Sequence, residues 1–173
     1  PAAQVGLRVD PAAERGAAAR LGEALGAPLP VAPNTVALAA GGGRRALWLG
    51  PDEWLVVDDT AAPARLVAEL EAAAGDAFAS VVDLSSNRVV LELAGPQARA
   101  VLESAITIDL HPRAFADGAC AQTLLAAAQV IVERAGQAFR VYARPSFAPY
   151  VTGWLEDAVS GDGGSSGSPS SAR

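Results

Sequence analysis

Few residues in this sequence are of types that could perform covalent or metal-ion chemistry. The chain contains one histidine, His111, and one cysteine, Cys120. A catalytic triad or a zinc site needs several such groups at defined spacings, and the sequence has no CxxC pair, no HExxH motif and no second histidine. We therefore expect a structural or interface role for His111, while a ligand or catalytic role stays open as the alternative.

Two further stretches could be mistaken for functional motifs. Gly41-Gly42-Gly43 is glycine-rich, but neither a helix nor the Gly-Lys-Ser/Thr of a phosphate loop follows it, so we interpret it as a hairpin loop. Asp52 and Glu53 are adjacent carboxylates in a predicted turn, where neighbouring side chains point apart and stay solvated. The residue inventory thus favours a binding or assembly subunit over an independently catalytic enzyme.

Several aromatic and basic residues are instead candidates for contact with a partner chain. Trp48 and Trp54 flank a predicted tight turn; they could pack in the core, or one of them could anchor a partner surface, since tryptophan is enriched at interface hot spots. The candidate interface residues are Trp48, Trp54, His111, Arg113, Arg144 and Tyr150.

The charge balance argues against two classes of partner. The net charge is -6 and the sequence pI is about 4.7, whereas nucleic acids and anionic membranes require a basic surface. No apolar run approaches the roughly 20 residues of a membrane span, and no signal peptide is visible. A single cysteine fits a reducing compartment, so we expect a cytoplasmic protein that binds neither nucleic acid nor membrane.

The elements that position these residues centre on Phe78–Leu110. Phe78–Leu84 and the alternating residues after Arg88 predict two strands paired as a hairpin through the turn Ser85-Ser86-Asn87. Gly95-Pro96 then predicts the start of a helix. One face of that helix is apolar and consists of Ala98, Val101, Leu102, Ala105 and Ile106.

The remaining elements follow the same patterns. We predict a short alanine-rich helix ending near Leu25, a helix over Ala62–Ala74, and a last helix opened by Pro145 and capped by Ser146. That last helix carries a stripe of apolar residues expected to face the core: Phe147, Tyr150, Val151, Trp154, Leu155 and Ala158. Predicted strands are Thr35–Ala40, two within Ala46–Asp59, Ala119–Leu125, Gln129–Arg134 and Phe139–Ala143, although periodicity alone would also allow a buried helix at LLAAAQVIV.

These elements predict an α+β fold with helices packed on antiparallel sheet. We expect an N-terminal arm over residues 1–33, one α+β domain over 34–159, and a disordered Gly/Ser-rich tail over 160–173.

The central segment AGPQARAVLESAITIDL resembles the strand, Gly-Pro and helix motif of folate-binding one-carbon proteins such as the glycine cleavage T-protein. Five segments in one order resemble the gamma subunits of heterotetrameric sarcosine oxidase more closely: Leu47–Val57, Val82–Gly95, Ile108–Phe115, Cys120–Arg134 and Phe139–Ala158. The likeness covers about residues 7–158 and implies the fold of the T-protein's N-terminal folate-binding domain.

The resemblance also implies a function. Such enzymes oxidise sarcosine with oxygen to glycine and hydrogen peroxide, and the methyl carbon becomes 5,10-methylenetetrahydrofolate or formaldehyde. They are oxidoreductases that act on a CH–NH group. The implied partners are alpha, beta and delta subunits, and FAD, FMN, NAD and tetrahydrofolate are expected on those other subunits. No catalytic, cofactor-binding or metal-binding residue is carried over to this chain.

Two alternatives stay open at this stage. The chain could be a stand-alone folate-binding domain for one-carbon transfer, which would bind tetrahydrofolate by itself. It could also be a regulatory binding module of another oxidase.

Overall fold

The computed structural model describes residues 2–162 of the 173-residue chain. Nine strands and four helices follow one another in this order: β1 (Ala3–Val9), α1 (Arg15–Leu25), β2 (Val36–Leu38), β3 (Arg44–Gly50), β4 (Glu53–Asp58), α2 (Pro63–Ala74), β5 (Ala79–Asp83), β6 (Val89–Leu93), α3 (Ala98–Glu103), β7 (Cys120–Leu125), β8 (Ala128–Ala135), β9 (Ala138–Ala143) and α4 (Ala148–Asp162). A single 3-10 turn, Pro145–Phe147, leads into α4. The predicted tail lies outside the described residues from position 163 onward.

Two antiparallel sheets pack face to face between two layers of helices. The first sheet has the strand order β2-β3-β4-β1-β5, and the second has the order β6-β9-β8-β7. Helices α1 and α2 cover the outer face of the first sheet, and α3 and α4 cover the outer face of the second. The predicted α+β class with antiparallel sheet is therefore confirmed.

The core is divided among three apolar clusters, because each sheet has two faces to bury. One cluster lies under α1 and α2 and includes Trp54, and another lies under α3 and α4. The third lies between the sheets and contains Leu47, Leu55, Val57, Cys120, Ile131 and Tyr142. The side chains of β3 and β4 therefore alternate between the helix layer and the other sheet.

The predicted hairpin across Ser85-Ser86-Asn87 is wrong. Strand β5 pairs with β1 in the first sheet, whereas β6 pairs with β9 in the second. The turn thus carries the chain from one sheet to the other, with the Asp83 carboxylate accepting the Ser85 N–H at 2.9 Å. Period-two patterning predicts that a segment is a strand but not which strand it pairs with. The strand next along the chain is therefore not always the partner, and β5 and β6 are such a case.

The N-terminal segment contains a strand that the sequence patterns did not predict. Strand β1 lies between β4 and β5 in the first sheet, and Ala3, Val5 and Leu7 are fully buried. Its apolar residues alternate with Gln4, Gly6 and Arg8, but alanine and glycine weakened that signal. The alanine-rich helix is present as α1 and packs on α2.

Elsewhere the predicted elements are present with shifted ends. Helices α2 and α3 and strands β2 to β4 and β7 to β9 are confirmed, so LLAAAQVIV is not helical. Ser146, the predicted cap of the last helix, lies inside the 3-10 turn that precedes α4. Only part of the predicted stripe on α4 is core: Val151 and Leu155 are buried, whereas Phe147 and Tyr150 are exposed.

The two sheets are also joined along one side by backbone hydrogen bonds. The Val36 N–H donates to the Gly118 carbonyl at 2.8 Å, and the Cys120 N–H donates to the Asn34 carbonyl at 2.9 Å. Asn34 has a positive φ of 60°, a conformation that asparagine tolerates better than most residues. This junction holds β2 and β7 in fixed positions relative to each other.

Candidate functional site

Four polar side chains, those of Arg45, Glu133, Arg140 and Tyr142, lie where the two sheets face each other, and all but Arg140 are buried. Residues two apart on a strand share a face, so Arg45 lies beside Leu47, Glu133 beside Ile131, and Arg140 beside Tyr142. Arg45 and Glu133 are 4% and 1% exposed, although arginine and glutamate are rarely buried unless they are paired.

Every charge in this cluster has an opposite partner. The Arg45 guanidinium contacts Asp59 at 2.6 Å and the Glu133 carboxylate at 3.2 Å. The Tyr142 hydroxyl donates to the same Glu133 oxygen at 2.5 Å, and Arg140 contacts the other oxygen at 3.1 Å. The cluster therefore joins β3 to β8 and β9 and fixes how the two sheets are aligned.

The raised pKa values of Arg45 and Tyr142 keep both side chains protonated near neutral pH. Burial alone would lower the pKa of Arg45, but the contacts with Asp59, Tyr142 and Glu133 raise it above its ordinary value. Burial and the Glu133 charge raise the pKa of the Tyr142 phenol. Neither side chain is available to exchange protons with a substrate at neutral pH, so the geometry is typical of a structural cluster.

The single cysteine lies in the same interface. Cys120 is fully buried, and its thiol is 3.5 Å from the carbonyl oxygens of Thr35 and Trp48. Burial, with a contribution from Glu133, raises the pKa of the thiol to about 12. A thiol with that pKa carries almost no nucleophilic thiolate at neutral pH.

A cavity of about 560 Å³ opens at the end of the second sheet where β6 begins and β9 ends. Arg88 and Arg144 contribute the charged side chains to its lining, and Gln122, Gln129 and Tyr142 add polar groups. Apolar walls come from Ile108, Leu124 and Ile131. A cavity with convergent polar groups and apolar walls is typical of a small-molecule or anchor-residue site.

The candidate residues of the tight turn occupy different environments. Trp54 is fully buried, and its indole N–H donates to the Pro30 carbonyl at 2.8 Å. Trp48 lies directly across the β3–β4 hairpin from Trp54 and is half-buried. Its indole nitrogen is buried without a hydrogen-bond partner among residues 2–162. Of the two, Trp48 is the one with surface left to offer a partner.

His111 and Arg113 lie together in an exposed turn after α3. The Asp109 carboxylate accepts the His111 N–H at 2.8 Å, and the His111 ring nitrogen Nδ1 accepts the Arg113 N–H at 3.3 Å. No group of three or more potential metal ligands occurs among the residues that the structure describes. The turn geometry accounts for the local contacts of His111.

Arg144 and Tyr150 flank the passage from β9 into α4. Both are exposed, and the Tyr150 hydroxyl accepts the Ala127 N–H at 3.4 Å. The six candidate residues therefore lie in three places: the β3–β4 hairpin, the 109–113 turn and the β9–α4 junction.

The sequence patterns did not identify four residues that the structure places between the sheets or in the cavity: Arg45, Arg88, Glu133 and Tyr142. The available signal was a charged residue at an inward position of an otherwise apolar alternation, as in Ile131-Val132-Glu133. Arg88 lies on the opposite side of the alternation from Val89, Leu91 and Leu93, a position that predicts contact with solvent. Only the packing of one sheet against the other makes these positions internal.

Comparison with known proteins identifies the relatives of this chain. A sequence model described as the sarcosine oxidase gamma subunit family matches residues 8–161. The chain is 44% identical over 162 residues to the sarcosine oxidase subunit gamma of Corynebacterium sp. (strain P-1), covering 92% of this chain and 76% of that protein. It is 43% identical over 159 residues to the subunit of the same name from Arthrobacter sp, covering 91% of this chain and 76% of that protein.

Solved structures show the same relationship. The chain matches a chain of the heterotetrameric sarcosine oxidase from Corynebacterium sp. U-96, solved in complex with pyrrole 2-carboxylate, with a TM-score of 0.86 and 38% identity over 96% of this chain and 84% of that chain. It also matches the glycine cleavage system aminomethyltransferase T from Bartonella henselae, with a TM-score of 0.67 and 19% identity over 89% of this chain and 43% of that chain. The second likeness shows a shared fold alone.

Proposed function

The chain belongs to the sarcosine oxidase gamma subunit family, and from that premise we propose that it assembles with alpha, beta and delta subunits into a heterotetrameric sarcosine oxidase. The observation that carries the proposal is the 0.86 TM-score against a chain of a solved heterotetramer. In the complex, sarcosine is oxidised to glycine and hydrogen peroxide, and its methyl carbon leaves as 5,10-methylenetetrahydrofolate or formaldehyde.

The role we assign to this chain within the complex is assembly rather than catalysis. Arg45, Glu133 and Tyr142 are engaged with one another between the sheets, and burial raises the pKa of the Cys120 thiol to about 12. These groups hold the fold in one alignment and do not present an activated acid, base or nucleophile to a substrate. We place FAD, FMN, NAD and tetrahydrofolate on the other subunits.

The alternative of a stand-alone folate-binding domain has less support. Its structural basis is the T-protein likeness, which at 19% identity concerns the fold and not the ligand.

Native co-purification from the source cells tests the assembly. The tagged full chain should elute with two larger flavin-binding chains and one smaller chain, and the eluate should be yellow with flavin absorption bands. A colourless chain that elutes alone would contradict the proposal. Tetrahydrofolate titration of that chain would then test the stand-alone alternative directly.

A further inference from the structure

Two arginines face each other at the end of the second sheet. The last paired residues of β6 and β9 are Val89 and Ala143, and Arg88 and Arg144 stand one position further along each strand. The backbone of Arg144 is still extended, with φ -64° and ψ 143°. Both side chains line the same cavity as Tyr142, so they occupy opposed cross-strand positions on the face turned toward the first sheet.

This pair has no compensating carboxylate. Neither guanidinium makes an ion pair with a carboxylate among residues 2–162, and the Arg88 Nη1 atom is buried without a hydrogen-bond partner there. Glu53 lies close enough to influence Arg88, but its carboxylate is engaged by Arg8 at 2.5 Å. Like charges directly opposite each other destabilise a sheet, and an unsatisfied buried charge costs more than a neutral group.

The electrostatic effect on Arg88 agrees with this geometry. Burial, followed by repulsion from Arg144, lowers the pKa of the Arg88 guanidinium below its ordinary value. The contrast with Arg45 is direct, since Arg45 is more deeply buried but its acidic neighbours raise its pKa. The surroundings of Arg88 therefore lack a negative charge that would balance its guanidinium.

We propose that the cavity lined by Arg88 and Arg144 binds a monoanionic carboxylate whose organic body packs on the apolar wall. Two guanidinium forks match the two oxygens of a carboxylate and supply charge-assisted hydrogen bonds. Gln129 lies next to Arg144 in the same row across the sheet and adds an amide to the polar side.

The apolar wall selects the carboxylate over a phosphate. Ile108, Leu124 and Ile131 line the cavity among its polar groups, with Leu124 directly across the strand pair from Gln129, and they would contact the body of the ligand. A phosphate carries between one and two negative charges at neutral pH, and the charge beyond the first would be poorly solvated beside these apolar side chains. The carboxylate comes either from a free small molecule or from an aspartate or glutamate side chain of a partner subunit.

The first arm of the test uses the full chain alone and does not depend on the proposed function. Its melting temperature is measured in sodium propionate, sodium phosphate and sodium chloride at equal ionic strength. We expect propionate to raise the melting temperature of the wild type by a few degrees relative to chloride, since a ligand that binds only the folded state stabilises it. Arg88→Met and Arg144→Met should each abolish that increase.

Arg99→Met is the matched control, because Arg99 is an exposed arginine of α3 that pairs with Glu103 and loses the same charge when replaced. It should keep the propionate effect. In chloride alone, Arg88→Met and Arg144→Met should melt no lower than the wild type, because each removes one of two repelling charges. A purely structural role for these arginines predicts a lower melting temperature instead.

The second arm distinguishes the source of the carboxylate and rests on the proposed function. If a partner's side chain fills the cavity, Arg88→Met should reduce recovery of the partner subunits in co-purification at least severalfold, and Arg99→Met should not. The proposal would be overturned if propionate raised the melting temperature equally in the wild type, Arg88→Met, Arg144→Met and Arg99→Met, and if Arg88→Met also recovered its partners in full. Failure of the wild type to recover partners would instead count against the assembly alone and leave the first arm intact.

Discussion

Arg45, Glu133 and Tyr142 lie where a charged group would ordinarily be excluded, and their mutual contacts explain why they are tolerated. Removing one member of a buried ion cluster leaves the others desolvated and uncompensated, which costs more than the contact itself contributes. Replacing Glu133 should have the largest effect, because its carboxylate accepts hydrogen bonds from Arg45, Arg140 and Tyr142 at once.

We expect Glu133→Gln to lower the free energy of unfolding by about 3–5 kcal/mol, the range for breaking a buried pair. Glu92→Gln is the matched control: Glu92 also contacts Arg140, but its side chain is 54% exposed, so the loss should stay below about 1 kcal/mol. Urea unfolding of both variants measures the difference. Similar losses of unfolding free energy in Glu133→Gln and Glu92→Gln would show that burial does not determine how much these contacts contribute to stability.

Asp58 gives the fold an acid-sensitive contact. Burial alone would raise the pKa of this carboxyl, but hydrogen bonds from Thr60, Arg44 and Ala61 outweigh burial and lower the pKa to about 2. A carboxyl whose pKa is lower in the folded state stabilises the fold above its unfolded pKa of 3.8, and this contribution is lost as pH falls toward 2.

Asp58→Asn should therefore reduce stability at pH 7 by about 2 kcal/mol, with the difference from the wild type shrinking between about pH 4 and pH 2. Urea unfolding across that pH range checks the prediction. A difference that does not change with pH would mean that the charge of Asp58 makes no contribution.

At the scale of elements, the N-terminal strand shows how a weakly patterned segment acquires its structure. Strand β1 pairs with β4 on one side and β5 on the other, so both of its edges are hydrogen-bonded. The element that follows it along the chain is the helix α1 and not a strand, and the alanine and glycine residues of β1 carry little strand propensity. Its position in the sheet comes from partners that are about 50 and 75 residues away, and local sequence patterns contain no information about them.

Leu7→Ala tests the strand. Leu7 is fully buried under the helix layer, so we expect a loss of about 2–5 kcal/mol in the free energy of unfolding. Leu38→Ala is the control, because Leu38 in β2 is 59% exposed and its truncation should change stability by about 0.5 kcal/mol or less. A tolerated Leu7→Ala would indicate that the N-terminal segment is not needed for the first sheet.

For the whole molecule, the α-β-β-α arrangement leaves both outer helix layers and the ends of the sheets available for partners. None of the helices in the described part of the chain is long and apolar enough to cross a membrane. Phe147 and Tyr150 keep more than 40% of their surface exposed at the β9–α4 junction. Exposed aromatic residues are well suited to an interface, where aromatic and arginine anchors contribute most of the affinity.

We expect Tyr150→Ala to reduce recovery of the partner subunits in co-purification while leaving the unfolding free energy of the isolated chain within about 1 kcal/mol of the wild type. Trp54→Ala is the informative contrast. Because Trp54 is fully buried, that variant should lose partners only through a loss of stability of about 3–5 kcal/mol. Full recovery of partners by Tyr150→Ala would remove this residue from the proposed interface.

The sequence alone determined most of the secondary structure, the α+β class and the family. Alternation, Gly-Pro boundaries and turn residues are local signals, and five segments in one order carried the resemblance. Local signals could not show that β5 and β6 belong to different sheets, or that β1 is a central strand, because pairing depends on contacts between distant segments. The tertiary structure alone decided that Glu133 is buried against Arg45 and that Arg88 faces Arg144. A charged residue on a strand is solvated or enclosed according to what packs on that face, and here the facing sheet encloses it.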